Sequence, residues 1–410
     1  MTTLKLGRVD QGKLPADLAE FLAPYHLSMS EVLKKKLKFR DEGIGKWRPF
    51  QEIVGKEIQK LQQFLKAAGF MPKSSVDGIF GYGTTAAVRL FQEYIRTVEG
   101  QAGIGTADGI AGKNTFKYIE EWKATKTDTD NFVCEWGKAS IENPTEAYTH
   151  WLSLLEKERL YYKEQGHEIL RHIEAFDKPT DTRKINDWNT SKDVIHLIGI
   201  RRNEEKIGVG KRTNDDLFVL LINGMVFYFW GSTDPNPGMA SRIDIPFLIE
   251  GQHEYGFGWH KVSSYNKIYK ALRPASDGVL VFRDSNGNQA LDAADLIKGI
   301  DPTPNKTINI HWSGIGRTNF SAGCQVIAGA SYINHKGDLV NCRDFAAVSY
   351  SELGSKTRGA YNLFADLILT YAPLGVRTLR YTLTRDDTAF LSDKLTEDLI
   401  GEVVGKMQGK

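Results

Sequence analysis

Two blocks of this chain repeat each other's turn chemistry, and that repeat restricts the fold more than composition does. Asp77-Gly78-Ile79-Phe80-Gly81, with Thr84 behind it, returns as Asp108-Gly109-Ile110-Ala111-Gly112, with Thr115 behind it. Asp-Gly favours a tight turn, because glycine adopts positive φ without steric cost and the carboxylate accepts from nearby main-chain N–H groups. Each threonine stands where a helix N-cap is expected. Apolar residues then recur at helical spacing: Ala87, Val88, Leu90, Phe91 and Tyr94 after the first turn, Phe116, Tyr118 and Ile119 after the second. Upstream, Ile53, Val54, Ile58, Leu61, Phe64 and Leu65 form a further stripe, closed by Gly69 as a C-cap. The expectation is a short helical bundle stapled by two turns.

Leu61-Gln62, Leu65, Gly69, residues 77–81, Thr84, Val88 and Phe91-Gln92 stand in an order that resembles the small helical peptidoglycan-binding domain. The resemblance covers residues 49–122 and implies attachment to the bacterial cell wall. The apolar positions build the bundle, so contact with the wall falls to residues near the turns, with Tyr82 and Asp77 as candidates.

A second stretch carries chemistry. Residues 308–327 read INIHWSGIGRTNFSAGCQVI, a strand that delivers His311, a glycine-rich loop, and a strand that begins at Cys324. A cysteine is nucleophilic as thiolate, and its ordinary pKa leaves little thiolate at neutral pH. An imidazole that takes the proton supplies the missing base, and main-chain N–H groups around a small residue can cradle an oxyanion. A Cys–His pair taken at random is usually inert. Here small residues crowd the cysteine, the histidine sits at a strand end, and Ser321 stands just before the thiol.

This stretch resembles the active-site motif of the L,D-transpeptidase (YkuD-like) family, in which a histidine precedes a Ser/Thr-His-Gly-Cys signature. Ala322 replaces the histidine before the glycine, and Gln325-Val326 follows the cysteine. The pattern is nearer to a divergent branch with Asn-Ile-His and Ser-Ala-Gly-Cys-Gln. The resemblance implies that Cys324 is the acyl-accepting nucleophile and His311 its base. Ser321 and Gly323 then shape the site, with the N–H groups of Gly323 and Cys324 aimed at the oxyanion. That branch also has a Gly…His element, here Gly258-Trp259-His260. His260, Trp312, Arg317 and Gln325 are the candidates to contact substrate.

Residues 284–295 place oxygen-bearing side chains in the order of a calcium loop: Asp284, Asn286, Asn288, Asp292 and Asp295, with the Ala290 carbonyl between them and Leu291 at the apolar position. Gln289 stands where glycine usually makes the sharp turn. Polar turns of this composition are also common without metal. Calcium, if bound, is expected to brace the approach to the catalytic strand, and the chemistry needs no cofactor.

We therefore expect an α+β multidomain protein, a small α-helical peptidoglycan-binding bundle followed by a mostly β L,D-transpeptidase-like catalytic domain. The divisions are 1–48, of unassigned role and with a helix at 30–39; 49–125, the wall-binding module; 126–185, a helical spacer; and 186–410, the catalytic domain. Strands are expected at 194–200, 216–222, 225–230, 279–282, 309–311, 325–328 and 378–383. Asn223-Gly224 makes a hairpin, and helices occupy 360–371 and the end of the chain from Ser392. The spacing of His167 and His172 does not align them on one helix face, which argues against a metal pair.

The chain has 410 residues, enough for two or three domains. Its net charge of +2 gives no nucleic-acid footprint, and no run is long enough to span a bilayer. Three cysteines, Cys134, Cys324 and Cys342, are too few for a disulfide framework, and a Cys324–Cys342 bridge would destroy the nucleophile. The first residues carry no apolar signal-peptide core, so delivery to the periplasm or cell wall is expected by another route, as an antibacterial effector toxin with secretion machinery and an immunity protein as partners, or as a phage lysis protein. The expected reaction is acyl transfer on peptidoglycan stem peptides, by transpeptidation, D-amino-acid exchange or carboxypeptidation. The rival readings are a cysteine amidase or endopeptidase and a non-catalytic wall-binding structural protein.

Overall fold

The computed structural model describes residues 2–13, 38–40, 47–73, 76–166, 168–202, 213–240, 243–260, 269–373, 375–385 and 397–409. The first strands are β1 (Arg8–Asp10), β2 (Lys38–Arg40), β3 (Trp47–Pro49) and β4 (Gln51–Ile53), with β1 parallel to β4 and β2 antiparallel to β3. The helix expected at 30–39 thus ends in a strand at Lys38 and Phe39, and its remainder lies outside the described residues. Asp10 does the capping work for α1 (Glu57–Ala67), which has no side-chain cap of its own: its carboxylate accepts from the N–H groups of Ile58 at 2.9 Å and Gln59 at 2.8 Å. Leu4 and Val9 bridge to Ala111 and Ile79 in the two repeated turns. Residues 2–13 are therefore built into the helical module.

A glutamine holds each turn of the repeat. From α1, Gln62 Nε2 donates to Asp77 Oδ1 (2.7 Å), the Ile79 carbonyl (3.1 Å) and Thr84 Oγ1 (3.0 Å), while Gly78 N–H donates back to Gln62 Oε1 (2.9 Å). From α2 (Tyr82–Thr97), Gln92 repeats this with Asp108 Oδ1 (3.1 Å), the Ile110 carbonyl (3.0 Å), Thr115 Oγ1 (3.0 Å) and Gly109 N–H (2.8 Å). The threonines are consequently not N-caps. Gly81 and Gly112 cap α2 and α3 (Lys113–Thr125), and the threonine hydroxyls belong to the glutamine clamps.

The stretch expected as a spacer is packed on both sides. It forms α4 (Thr129–Phe132), α5 (Glu135–Lys138), α6 (Glu146–Gln165) and α7 (Glu168–Ala175). Trp136 of α5 is fully buried and stands edge-on to Phe70 and Tyr94 of the helical module and to Phe227 beyond it. Thr145 caps α6 by accepting from Tyr148 N–H at 3.2 Å. His172 packs edge-on against Phe282, and His167 lies outside the described residues.

The largest sheet contains β5 (Thr182–Arg183), β6 (His196–Arg201), β7 (Asp216–Ile222), β8 (Met225–Ser232), β10 (Gly251–His260), β11 (Tyr269–Pro274), β13 (Ile310–Trp312), β14 (Gln325–Ile327), β15 (Ser331–Ile333), β16 (Leu339–Asn341) and β17 (Thr378–Arg385). A separate ladder pairs β9 (Pro246–Leu248) with β12 (Val281–Arg283). Eight strands close on themselves in the order β14-β13-β11-β10-β17-β6-β7-β8, with β8 returning to β14 through Ser232–Val326 and Gly231–Ile327. Closure needs the glycine: a Cβ at Gly231 would sit 1.8 Å from the Val326 carbonyl oxygen. Asn223 (φ 49°) and Gly224 (φ 75°) make the expected tight hairpin between β7 and β8. One face of the barrel wall (Leu197, Phe218, Leu220, Phe227, Phe229) shares a core with α9 (Ala360–Tyr371) and the helical module. The other (Ile198, Ile200, Leu217, Val219, Leu221, Trp230) packs on α6 and α10 (Glu397–Gln408). The short α8 (Ala293–Lys298) closes the 284–295 loop.

Buried polar contacts join the two modules. Asp366 of α9, fully buried, takes Arg89 Nη1 of α2 and Lys270 Nζ of β11, both at 2.9 Å. Tyr332 donates to Glu93 Oε1 at 2.7 Å, and Tyr371 donates to the Gly69 carbonyl at 3.0 Å. Tyr82 stands edge-on to Trp259, centroids 5.2 Å apart. Charges removed from water in this way are stable only while both partners are present, so the interface resists separation.

Candidate functional site

Strands β13 and β14 run parallel, with Ile310 opposite Gln325 and His311 opposite Val326. Cys324 enters β14 beside Asn309, whose N–H donates to its sulfur at 3.3 Å; the thiol in turn lies 3.3 Å from the Thr307 carbonyl. Asn309 and His311, two residues apart on an extended chain, project to one face, and Ile310 to the other. Cys324 is half-buried on the wall of a pocket of about 240 Å³, together with Pro246, Arg283, Asn305, Thr307, Ile308 and Gly323. Cys134 and Cys342 are free and buried, and burial pushes the first up to about 12 and the second well above the ordinary thiol range. No disulfide competes for Cys324.

Two imidazoles, His260 of β10 and His311 of β13, lie near Asn309 and are not among the residues that line the pocket. His311 Nδ1 lies 2.9 Å from the Trp312 carbonyl oxygen and 3.1 Å from the Tyr269 hydroxyl. A carbonyl can only accept, so the network assigns the proton to Nδ1 and the lone pair to Nε2, the tautomer a general base requires. The His260 ring stacks on His311, centroids 4.0 Å apart and planes 21° apart. Asn309 Nδ2 lies 3.0 Å from His260 Nδ1.

Ser321 and Gly323 shape the approach differently from expectation. Gly323 N–H donates to Ser321 Oγ at 3.3 Å, so it closes a turn and is not turned toward an oxyanion. A Cβ on Gly323 would meet Pro246 Cγ at 2.6 Å, which makes the glycine a packing requirement of the pocket wall. Three substrate candidates are corrected. Gln325 is fully buried, donates to the Thr233 carbonyl at 3.0 Å and accepts from Tyr381 at 3.0 Å; register places it on the face opposite His311. Trp312 is buried against Tyr269 and Tyr350. Arg317 is exposed on the β13–β14 loop and does not line the pocket. Tyr82, a candidate for wall contact, is buried in the module interface, and Asp77 is held by Gln62.

Sequence reasoning passed over Asn309, Tyr269 and Arg283. Asn309 lies between two isoleucines and reads as an ordinary outward strand residue. Tyr269 begins a strand whose register places it opposite His260. Arg283 lies on the pocket wall, oriented by Asp301 at 2.8 Å through Nε and by the Asp244 carbonyl at 3.3 Å through Nη1.

The 284–295 loop follows directly. Asp284 accepts from Gly287 and Gln289 N–H at 2.7 Å each, Asn286 Oδ1 from Asn288 N–H at 3.0 Å, and Asn288 Oδ1 from Ala290 N–H at 2.9 Å. Gln289 takes φ 67°, the positive value that glycine supplies in calcium loops. Asp292 and Asp295 form a capping box on α8, and both Asn286 and Asn288 donate to Asp292 Oδ2. Among the described residues, no three or more His, Cys, Asp or Glu are grouped to hold a metal ion.

The architecture is a helical module fixed to a closed barrel with a cysteine pocket at its β13–β14 seam. Residues 54–119 match the family model described as a putative peptidoglycan binding domain, so the chain carries a peptidoglycan-binding domain in its helical module. No curated protein matches the chain. Among solved structures, a fused Zn-dependent amidase/peptidase/peptidoglycan-binding domain-containing protein from Clostridium acetobutylicum aligns over 80% of this chain and 95% of its own, with 12% identity and a TM-score of 0.21, an overlap that carries no argument about fold or function. No described helix is long and apolar enough to cross a membrane.

Proposed function

We propose that this is a peptidoglycan-directed cysteine acyl-transfer enzyme of L,D-transpeptidase or L,D-carboxypeptidase type. The observation that carries the reading is the contrast among three cysteines. Two are sealed in the core, while Cys324 lines a pocket beside Asn309, with His311 in the base tautomer on the adjoining strand. In this reading His311 Nε2 takes the Sγ proton and the thiolate attacks the carbonyl after the L-centre of diaminopimelate. The tetrahedral oxyanion collapses with the Cys324 N–H as its assigned donor, and His311 returns the proton to the leaving D-alanine amine. An amine or water then resolves the thioester. Arg283, the cation on the pocket wall, suits a substrate carboxylate, since a guanidinium reads planar anions. The fused binding domain raises the local concentration of wall substrate.

In the same reading, Asp284, Asn286, Asn288 and Asp292 would hold a calcium ion, which would supply a structural brace to the loop that follows Arg283. The acyl-enzyme gives the direct test of the central step. Incubation with a stem tetrapeptide should add the acyl tripeptide to wild-type protein, detected by intact mass at acid quench, and add nothing to Cys324→Ala. Absence of the adduct together with full turnover would overturn the covalent step. An endopeptidase or amidase would use the same dyad and differ in the bond cut.

A further inference from the structure

We infer that Asn309 is the positioning residue of this site: it holds Cys324 through its main-chain N–H and holds His260 neutral through its carboxamide, so that His311 alone takes the proton from Cys324. The inference rests on the cysteine reading above and adds a residue and a division of labour between two histidines.

The geometry has three parts. Asn309 N–H reaches the sulfur at 3.3 Å, so the chain that carries the base also touches the nucleophile. Asn309 Nδ2 reaches His260 Nδ1 at 3.0 Å. An amide N–H can only donate, so it occupies the Nδ1 lone pair and leaves the His260 proton on Nε2. His311 is held the other way round, its Nδ1–H tied to the Trp312 carbonyl. Two stacked rings 4.0 Å apart thus carry opposite tautomers.

A neutral His260 matters because two imidazolium rings at that separation would repel each other, and a donor on its Nδ1 disfavours its protonation. Packed around the pair, among the described residues, are the Tyr269 and Tyr350 hydroxyls, 3.0 Å apart, and the Arg358 guanidinium 4.5 Å from the Tyr269 ring centroid. Burial pushes both tyrosines up, so they stay neutral, and Arg358 adds a positive charge that disfavours a second cation. Asn309 is 93% buried, as its relative exposure of 7% gives, and its Oδ1 has no hydrogen-bond partner among the described residues. A buried amide left half-satisfied is costly for stability alone, which fits retention for positioning.

The test needs no substrate. In ¹⁵N-histidine spectra of the full chain at neutral pH, the neutral rings should show His260 protonated on Nε2 and His311 on Nδ1. Asn309→Ala keeps the main-chain contact to sulfur but should abolish the His260 tautomer preference, and slow alkylation of Cys324 by iodoacetamide at pH 7 by about tenfold, the size of a one-unit shift. If both rings of the wild type carry the same tautomer, or if Asn309→Ala leaves both the spectra and the rate unchanged, the inference fails. The underlying cysteine reading fails separately, if wild-type Cys324 alkylates no faster than free cysteine.

Discussion

The ring of Tyr82, at the start of helix α2 in the peptidoglycan-binding domain, stands edge-on to Trp259, the residue before His260. On the neighbouring strand, Lys270 follows Tyr269, whose hydroxyl meets His311, and Lys270 shares Asp366 with Arg89 of the same helix. The peptidoglycan-binding module is therefore the backing of the strands that carry the imidazoles.

That arrangement predicts joint unfolding. Arg89→Ala removes one of the two cations on a fully buried carboxylate and should cost about 3 kcal/mol. Urea denaturation should still give one cooperative transition, because the helical module shares its core and buried polar contacts with the barrel. A distinct early transition for that module, seen by tryptophan fluorescence, would contradict the coupling.

Thiol reactivity should be confined to one position. With Cys134 pushed up to about 12 and Cys342 higher still by burial, the thiolate fraction of Cys134 at pH 8 is on the order of 10⁻⁴. Under native conditions a soluble alkylating reagent should label Cys324 at least 100-fold faster than either, read by peptide mass mapping, as an order-of-magnitude estimate. Equal labelling of all three would contradict the pocket assignment.

Three buried groups, His196, His253 and Asp216, and the partly buried Asp215 set opposing pH terms. Burial lowers His196 to about 4 and His253 to about 3, so below the ordinary 6.5 the unfolded chain binds protons that the folded one refuses, and stability is lost as pH falls. Burial raises Asp216 to about 8 and Asp215 to about 6, so their contribution is complete below the ordinary 3.8 and is lost as pH rises through those values. The terms offset each other between about pH 4 and 6, and the carboxylates prevail above. The protein should be about 1–2 kcal/mol less stable at pH 9 than at pH 6. Thermal melts across this range check it, and rising stability toward pH 9 would refute it.

Calcium should raise the melting temperature of the wild type and not that of Asp284→Ala, with a gain of about 3 kcal/mol at a hundredfold excess over the dissociation constant. Identical melts with calcium and with chelator would remove calcium from the account.

Much of the architecture was legible because its signals are local. The repeated Asp-Gly-Ile turns, the Asn-Gly hairpin and the apolar face of α9 each specify their element within a few residues, and the structure has them in place. Strands β10 and β11 were not legible. Gly251, Gly256 and Gly258 break the alternation of β10, and its pairing to β17 and β11 is long-range. Those strands carry His260 and Tyr269, so Tyr269 stayed hidden and His260, though singled out, had no visible link to His311. Thr84, Thr115 and Tyr82 misled for a related reason: a hydroxyl near a helix start and an aromatic near a turn look the same in sequence whether they cap, clamp or pack. Gln325 looked available beside Cys324, yet the period of a strand turns adjacent residues to opposite faces.

The most direct measurement is mass spectrometry of tetrapeptide muropeptides incubated with wild type and with Cys324→Ala, with and without calcium. The wild type should remove the terminal D-alanine, or replace it when a D-amino acid is supplied, and the variant should do neither. Unchanged muropeptides with the wild type in every condition would contradict acyl transfer at Cys324 and leave a protein that binds the wall without cutting it.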